Sequence, residues 1–259
     1  MQRSAFKKAG VVLSAILIIA LHFPLISANI RTFGAGMIKP AGVATLVADS
    51  ASVAANSSSI LSEATVLYEH MELAVLGLSK QTFDYAMKGF DNLVRSGKVE
   101  NEHIISIADF SQPSSKKRLF VIDLDQEKVI FNTYVAHGVN SGKEMANDFS
   151  NQPESYKSSL GFYETQSTYS GGHGYSLRLE GLEKGINDNA NRRDIVIHGA
   201  GYVNEGLIRS QGYIGRSWGC PALPENMYKP IINKIKDGTC LFIYSPDKTY
   251  LKRSKIINA

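Results

Sequence analysis

The hydrophobic and polar positions follow two different periods, one before and one after about residue 98. Between Ser59 and Leu78 the apolar residues recur at roughly helical spacing, which predicts a first helix. Ser79 is a suitable capping residue for a second helix that runs through Arg95, with Gly97 as its stop. The first part of the chain is therefore predicted to be a small helical segment.

After about residue 98 the apolar positions alternate with polar ones, which is the period of β-strands. We predict strands over 104–110, 118–124, 129–136, 176–182, 194–197 and 239–244, a hairpin turn at 125–128 and a helix over 226–236. The segment 150–174 is rich in Ser, Gly, Tyr and Asn, a composition that favours loop and short strand. The predicted fold class is α+β, rich in strands, with the helical segment in front.

The first 28 residues have the pattern of a secretory signal. Arg3, Lys7 and Lys8 precede an apolar run over residues 9–21, and Pro24 and small residues follow it. The run is about thirteen residues long, about 20 Å as a helix, which is shorter than the ~30 Å hydrocarbon core of a bilayer. We expect a cleaved signal and no stable membrane span after cleavage, with a retained anchor as the alternative. The expected location is extracytoplasmic, in the periplasm or at the cell wall.

Composition narrows the class of protein. The chain of 259 residues is 44% hydrophobic, enough for one sizeable core and too apolar for a disordered chain. Its two cysteines exclude a disulfide-dense scaffold and a cysteine-based zinc ribbon. Three charges of the net +4 belong to the predicted signal, which leaves +1. Nucleic-acid binding by bulk electrostatics is therefore not expected.

The candidate chemistry lies between His198 and Cys220. Cys220 follows Gly219 in a glycine-rich segment, and a thiol needs a base or a cation to become a nucleophilic thiolate. His198 directly follows a predicted strand, 22 positions upstream, and would supply that base, while the backbone N–H groups of Gly219 and Cys220 would form an oxyanion hole. A disulfide between Cys220 and Cys240 is the competing interpretation, and the residues alone leave the two equally open.

A resemblance to a known family favours the first interpretation. His198-Gly199 followed by Ser217-x-Gly219-Cys220 resembles the signature of the L,D-transpeptidase catalytic domains (YkuD-type), which remodel bacterial peptidoglycan. The run 215–222, Gly-Arg-Ser-Trp-Gly-Cys-Pro-Ala, is similar to the murein L,D-transpeptidase catalytic-domain branch. Segments at 150–151, 158–161, 174–182 and 187–190 match in order, and the resemblance covers roughly 119–246. The chain departs from the commoner pattern by having Trp218 where that pattern has His.

The patterns above predict a division into signal peptide (1–28), linker (29–58), helical segment (59–98) and catalytic domain (99–259). For the last of these, the resemblance implies a two-sheet sandwich. It also implies the reaction: Cys220, with His198 as base, would cleave the bond between the third residue and D-Ala of a stem tetrapeptide. A thioester would result, and a second stem would accept the acyl group in a 3-3 cross-link. The implied partners are donor and acceptor stem peptides of peptidoglycan, with no metal and no organic cofactor.

Further residues are assigned roles around this pair. Ser217 is predicted to be a third catalytic residue that orients the histidine or binds substrate, or else to close a turn. We predict substrate contacts for Trp218, Arg216, His173 and Arg178, each of which also has a purely structural interpretation.

Four alternative functions are also compatible with the sequence. An L,D-carboxypeptidase would use the same cysteine and histidine with water as acceptor, and a non-catalytic module would only bind the wall. A zinc hydrolase would take His137, His173 and His198 as ligands, although no short metal-binding spacing is present. A serine acyltransferase is suggested by Ser-x-x-Lys matches at 114–117 and 245–248, without the companion motifs of that class.

Overall fold

Eight strands form one mixed sheet in the computed structural model, which describes residues 62–259. The predicted signal peptide and linker lie outside the described residues. The strands are β1 (Ile104–Asp109), β2 (Leu119–Asp123), β3 (Lys128–Thr133), β4 (Gly161–Gly171), β5 (Gly174–Gly181), β6 (Val196–Gly199), β7 (Ala222–Leu223) and β8 (Cys240–Tyr244). Their spatial order is β3-β2-β1-β8-β4-β5-β6-β7.

The centre of the sheet consists of apolar strands that are buried along their whole length. Strands β1, β2 and β8 are buried at every position, so both of their faces are covered, whereas an alternating pattern predicts one exposed face. β1 pairs with β8 in parallel and with β2 in antiparallel orientation. The pairs β6–β7 and β1–β8 are parallel, and the other pairs are antiparallel.

Five α-helices accompany the sheet in the described part of the chain. They are α1 (62–70), α2 (Lys80–Arg95), α3 (Glu205–Gln211), α4 (Tyr228–Ile235) and α5 (Lys248–Arg253). The prediction of α2 is confirmed, because the Ser79 side chain accepts a hydrogen bond from the Thr82 N–H and Gly97 adopts a positive φ just beyond the helix. The short helices α3 and α5 were not predicted.

The first helix is shorter than predicted. Residues 71–77 form turns instead of continuing to Leu78, and Glu72 has a φ of 50° that helical backbone does not allow. The turns bring Leu73 and Leu78 into the core, where both are almost fully buried. The free energy gained by burying these two leucines therefore favours the turns over a continued helix, despite the helical spacing of the sequence.

The prediction of loop and short strand for 150–174 is wrong over its second half. Strand β4 runs for eleven residues and forms a long hairpin with β5, whose tip carries His173. Its first part is buried and its last part is exposed, with a register shift between Thr165 and Thr168. The exposed part has little apolar alternation, which is why its sequence resembles a loop.

The β-rich α+β class is confirmed. The sheet is continuous, because β4 pairs with β8 at its start and with β5 farther along, so the strands do not separate into two sheets by hydrogen bonding. Helix α2 contributes Phe83, Phe90 and Leu93 to the same core as the sheet. The predicted domain boundaries remain a prediction. Among residues 62–259, no helix combines the length and apolar character needed to cross a bilayer.

Candidate active site

Most of the predicted site residues line one cavity of about 670 Å³. Its walls come from the loop at 153–156, the β4–β5 hairpin, the segment 192–198 and the segment 216–220. The predicted residues that line it are His173, His198, Arg216, Ser217, Trp218 and Cys220. Segments far apart in sequence therefore converge on one cleft.

Neighbouring strands bring His198 and Cys220 to the same cavity. His198 lies in β6 and pairs with Ala222 of the parallel strand β7. Cys220 lies in the bend two positions before Ala222, and its sulfur lies beside the Val196 N–H of β6. Both side chains consequently line the cleft.

The hydrogen bond of His198 defines its tautomer. Nδ1 lies 3.0 Å from the carbonyl oxygen of Gly199, and since a carbonyl only accepts, Nδ1 carries the proton. Nε2 is then left as a proton acceptor. The His173 ring stacks on the His198 ring at a centroid distance of 4.4 Å and an interplanar angle of 22°. Burial lowers the pKa of His198, and charge on His173 lowers it further. The neutral imidazole that a general base requires is thereby favoured.

The Cys220 thiol is partly buried and is not in a disulfide. Its Sγ donates to the carbonyl oxygen of Asp194 at 3.6 Å. Burial raises the pKa of this thiol, while the backbone N–H of Val196 and the charge of Arg193 act in the opposite direction. Cys240 is also free and lies buried in β8, so the competing disulfide is absent.

Ser217 and Gly219 shape the turn that carries Cys220. The Ser217 hydroxyl donates to the Cys220 carbonyl at 2.6 Å and accepts from the Gly219 N–H at 3.1 Å. Gly219 has a φ of 122°, and a Cβ there would lie 2.8 Å from the Lys157 carbonyl oxygen. Only glycine fits this position without strain. The Gly219 N–H is engaged within the turn, and the Cys220 N–H lies beside its own sulfur.

Arg193 is a residue of the cleft that sequence reasoning missed. Its guanidinium donates to the carbonyl oxygens of Ser150 (2.8 Å) and Lys157 (2.6 Å), and to the hydroxyl of Ser155 (3.2 Å). It therefore anchors the loop at 150–159 beside the thiol, and its charge favours the thiolate of Cys220. The signal in the sequence is the basic pair at 192–193, directly before the strand that carries the histidine.

Arg178 does not line the cavity. It is exposed on β5, with its guanidinium carbon 4.0 Å from the centroid of the Tyr169 ring. Tyr169 does line the cavity, so Arg178 contributes by packing against a wall residue.

The metal and serine alternatives lack part of their residues at the cleft: His137 does not line the cavity in which His173 and His198 stack, and neither candidate serine reaches it. His137 is buried, with Nδ1 2.7 Å from Nη2 of the fully buried Arg118, and burial followed by that charge lowers its pKa to about 3. Within residues 62–259, no three His, Cys, Asp or Glu side chains are grouped in a way that suits a metal ion. Ser114 and Ser245 are buried and line no part of this cleft.

Comparison with known proteins identifies a family. A family model described as the L,D-transpeptidase catalytic domain matches residues 75–244, which extends the resemblance toward the N-terminus to include α2. No curated protein matches.

Several solved structures are similar at low identity. An L,D-transpeptidase from Mycobacterium smegmatis is 13% identical, with 55% of this chain and 59% of that chain covered and a TM-score of 0.34. One from Mycobacterium tuberculosis H37Rv is 16% identical (55% and 58% covered, TM-score 0.33). One from Stackebrandtia nassauensis is also 16% identical (63% and 68% covered, TM-score 0.32). The match thus spans less than two thirds of either mycobacterial chain.

Proposed function

The chain belongs to the L,D-transpeptidase catalytic-domain family, and from that premise we propose that it is a cysteine-dependent enzyme that cross-links peptidoglycan stem peptides. The observation that carries the proposal is the convergence of Cys220 and His198 on one cleft, with Nε2 of the histidine free to accept a proton. The activity is proposed to take place outside the cytoplasm, where this substrate lies and to which the predicted signal at 1–28 would direct the chain.

The first half-reaction forms a thioester. The Cys220 thiol leaves the Asp194 carbonyl, rotates toward the substrate and transfers its proton to His198 Nε2 as sulfur attacks the carbonyl of the third stem residue. The Cys220 N–H is the donor available to the developing oxyanion, an interaction worth about 3 kcal/mol. The carbon–nitrogen bond to D-Ala then breaks, and the departing amine takes the proton from His198.

The second half-reaction transfers the acyl group. An amine on the third residue of a second stem attacks the thioester, gives a proton to His198 and expels the Cys220 thiolate, which recovers that proton. The product is a 3-3 cross-link. Attack by water in place of the amine would give a tripeptide, which is the carboxypeptidase outcome.

The charges of the cleft suit an anionic peptide. Arg192, Arg193 and Arg216 line it together with two acidic residues, Glu154 and Asp194. Guanidinium groups bind carboxylates with two parallel hydrogen bonds, and stem peptides carry several carboxylates. Arg216, whose Nη1 also donates to the Gly142 carbonyl at 3.1 Å, is proposed to bind one of them.

The test is product analysis with purified protein and disaccharide-tetrapeptide. We expect release of D-Ala and a cross-linked dimer, loss of both products by at least about 1000-fold in Cys220→Ala, and a loss of at least about 100-fold in His198→Gln. Cys240→Ala is the matched control, since it removes the other thiol away from the cleft, and should retain activity. D-Ala release by folded Cys220→Ala would overturn the proposal. Tripeptide alone would identify a carboxypeptidase, and wall binding without either product a non-catalytic module.

A further inference from the structure

Two aromatic side chains in contact with each other are exposed at the cleft. The described part of the chain exposes five large apolar side chains, and two of them are Trp218 (74% exposed) and Tyr156 (42% exposed). Their ring centroids are 5.6 Å apart at an interplanar angle of 53°, and both rings line the cavity that contains Cys220. When a ligand covers apolar surface of this kind, the surface is removed from water and the complex is stabilised.

Tyr156 is held in place by a strained and anchored backbone. Its φ is 53°, a left-handed conformation that is unfavourable by about 1–2 kcal/mol for a bulky residue. Its carbonyl accepts from the Asn140 N–H at 3.1 Å, and its neighbour Lys157 is held through its carbonyl by Arg193 at 2.6 Å. Because the ring remains exposed, burial of the side chain does not compensate for this strain. The strained backbone instead sets the position of the ring at the cleft.

Trp218 is fixed in a similar way from both sides. The Ser217 N–H donates to the His137 carbonyl at 2.9 Å, and the Gly219 carbonyl accepts from the Ser158 hydroxyl at 3.2 Å. The indole between these two anchors projects into solvent. The backbone that carries both rings is thus held in place and the rings contact each other, which lowers the entropy lost when a ligand binds.

The distance to the nucleophile suits a group at the start of the stem peptide. Trp218 and Cys220 are two residues apart, so their Cα atoms are separated by about 7.6 Å at most. In a stem cleaved after its third residue, the sugar is about three extended residues, or about 10 Å, from the reacting carbonyl. With the length of the indole added, the aromatic pair can reach that sugar.

We propose that Trp218 and Tyr156 form an aromatic platform that binds an amino-sugar ring of the glycan strand to which the stem is attached. One face of a pyranose ring presents C–H bonds, which pack on the electron-rich face of an aromatic ring, while its hydroxyl groups remain at the edge. Glu154 and Arg192 line the same cavity and supply an acceptor and a donor for those hydroxyl groups. The proposal rests on the proposed function for the identity of the strand.

The fluorescence of the protein tests this proposal directly, because Trp218 is the only tryptophan in the chain. The Cys220→Ala variant, which cannot turn over, is titrated with an N-acetylglucosamine tetramer, with disaccharide-tetrapeptide and with the same tetrapeptide without sugar. Both sugar-containing ligands should shift the indole emission to shorter wavelength and saturate, whereas the sugar-free peptide should not shift it.

Second substitutions in the same background complete the test. Tyr156→Ala should weaken binding of the sugar-containing ligands at least about 10-fold, and Tyr156→Phe, which keeps the ring, should bind within about 3-fold of the parent. Leu76→Ala removes exposed apolar surface elsewhere and should change nothing. Emission that stays constant with both sugar ligands, or that shifts equally with sugar-free peptide, would overturn the platform. Because no turnover is measured, failure of the platform is distinct from failure of the thioester chemistry.

Discussion

At the scale of single residues, the site favours a neutral pair over a preformed ion pair. Burial raises the pKa of the Cys220 thiol and lowers that of the His198 imidazole, so that both groups are uncharged near neutral pH. A buried ion pair would need more stabilisation than the Val196 N–H and Arg193 provide. The thiol proton is therefore expected to move as sulfur attacks and not before the substrate binds.

This protonation state predicts two pH dependences. Iodoacetamide should alkylate Cys220 of the free protein slowly at about pH 6 and faster as pH rises through and above the ordinary thiol pKa of about 8.5. The proposed mechanism requires neutral His198, and since the pKa of His198 is lowered, activity should fall only below about pH 6.5. His173→Gln removes a neighbouring charge and should move that acid limb to higher pH. Rapid alkylation at a constant rate between about pH 5 and 8 would instead indicate a preformed thiolate.

Residue-level prediction worked where the signal is local. A cysteine after Gly219 and a histidine at the end of an apolar strand are visible in short windows of sequence. Arg193 was missed because its role comes from bonds to positions 34 to 43 residues away, which no local pattern contains. The engagement of the Gly219 N–H by Ser217 likewise depends on how the turn closes.

At the scale of elements, a buried carboxylate joins the long hairpin to the C-terminal helix. Glu183, just after β5, accepts hydrogen bonds from the Phe162 N–H of β4 at 3.0 Å, from the Tyr250 hydroxyl of α5 at 3.0 Å and from the Ser254 hydroxyl. Each of these donors is buried and would be unsatisfied without it. This carboxylate therefore fixes the start of the strand whose far end carries His173.

Replacing this carboxylate should destabilise the protein measurably. Glu183→Ala leaves three buried donors unpaired, and we expect it to reduce the free energy of unfolding by about 2–4 kcal/mol. Glu183→Gln keeps an acceptor oxygen of similar shape and should lose less than half as much. Urea denaturation followed by circular dichroism measures both. Equal losses for the two variants would show that the hydrogen bonds are not the source of the stability.

Elements were predictable where capping and periodicity agree. Ser79 and Gly97 delimit α2, and the apolar runs of β1, β2 and β8 stand out from their surroundings. β4 was not recognised, since its exposed half and its register shift remove the alternation on which strand prediction depends.

At the scale of the whole molecule, the two thiols occupy different environments. Cys220 lines the cleft, whereas Cys240 is fully buried in the central strand β8. Burial strongly raises the pKa of the Cys240 thiol, and reagents in solution do not reach this thiol in the folded state. The thiol chemistry of the native protein is therefore expected to be confined to one position.

A thiol titration checks this expectation. With Ellman's reagent and no reductant, the native protein should react at one thiol and the denatured protein at two. The same experiment on Cys220→Ala should give no reaction before denaturation and one thiol after it. Absence of reactive thiol in the denatured wild-type chain would contradict the unpaired state and restore the disulfide interpretation.

Fold class could be predicted for the whole molecule, but its topology could not. The change from helical to alternating period is enough to indicate a β-rich α+β protein. The parallel pairing of Ile105 in β1 with Cys240 in β8 joins segments 135 positions apart and leaves no mark on either strand. The convergence of four segments on the cleft depends on such pairings.

The most direct test of the central claim is the mass of the intact protein after a short incubation with disaccharide-tetrapeptide. We predict a transient species heavier by the donor minus D-Ala, which peptide mapping locates on Cys220 and which hydroxylamine removes, as expected for a thioester. If D-Ala is released while the protein mass never changes, or if the adduct lies on any other residue, Cys220 is not the nucleophile and the proposed mechanism is contradicted.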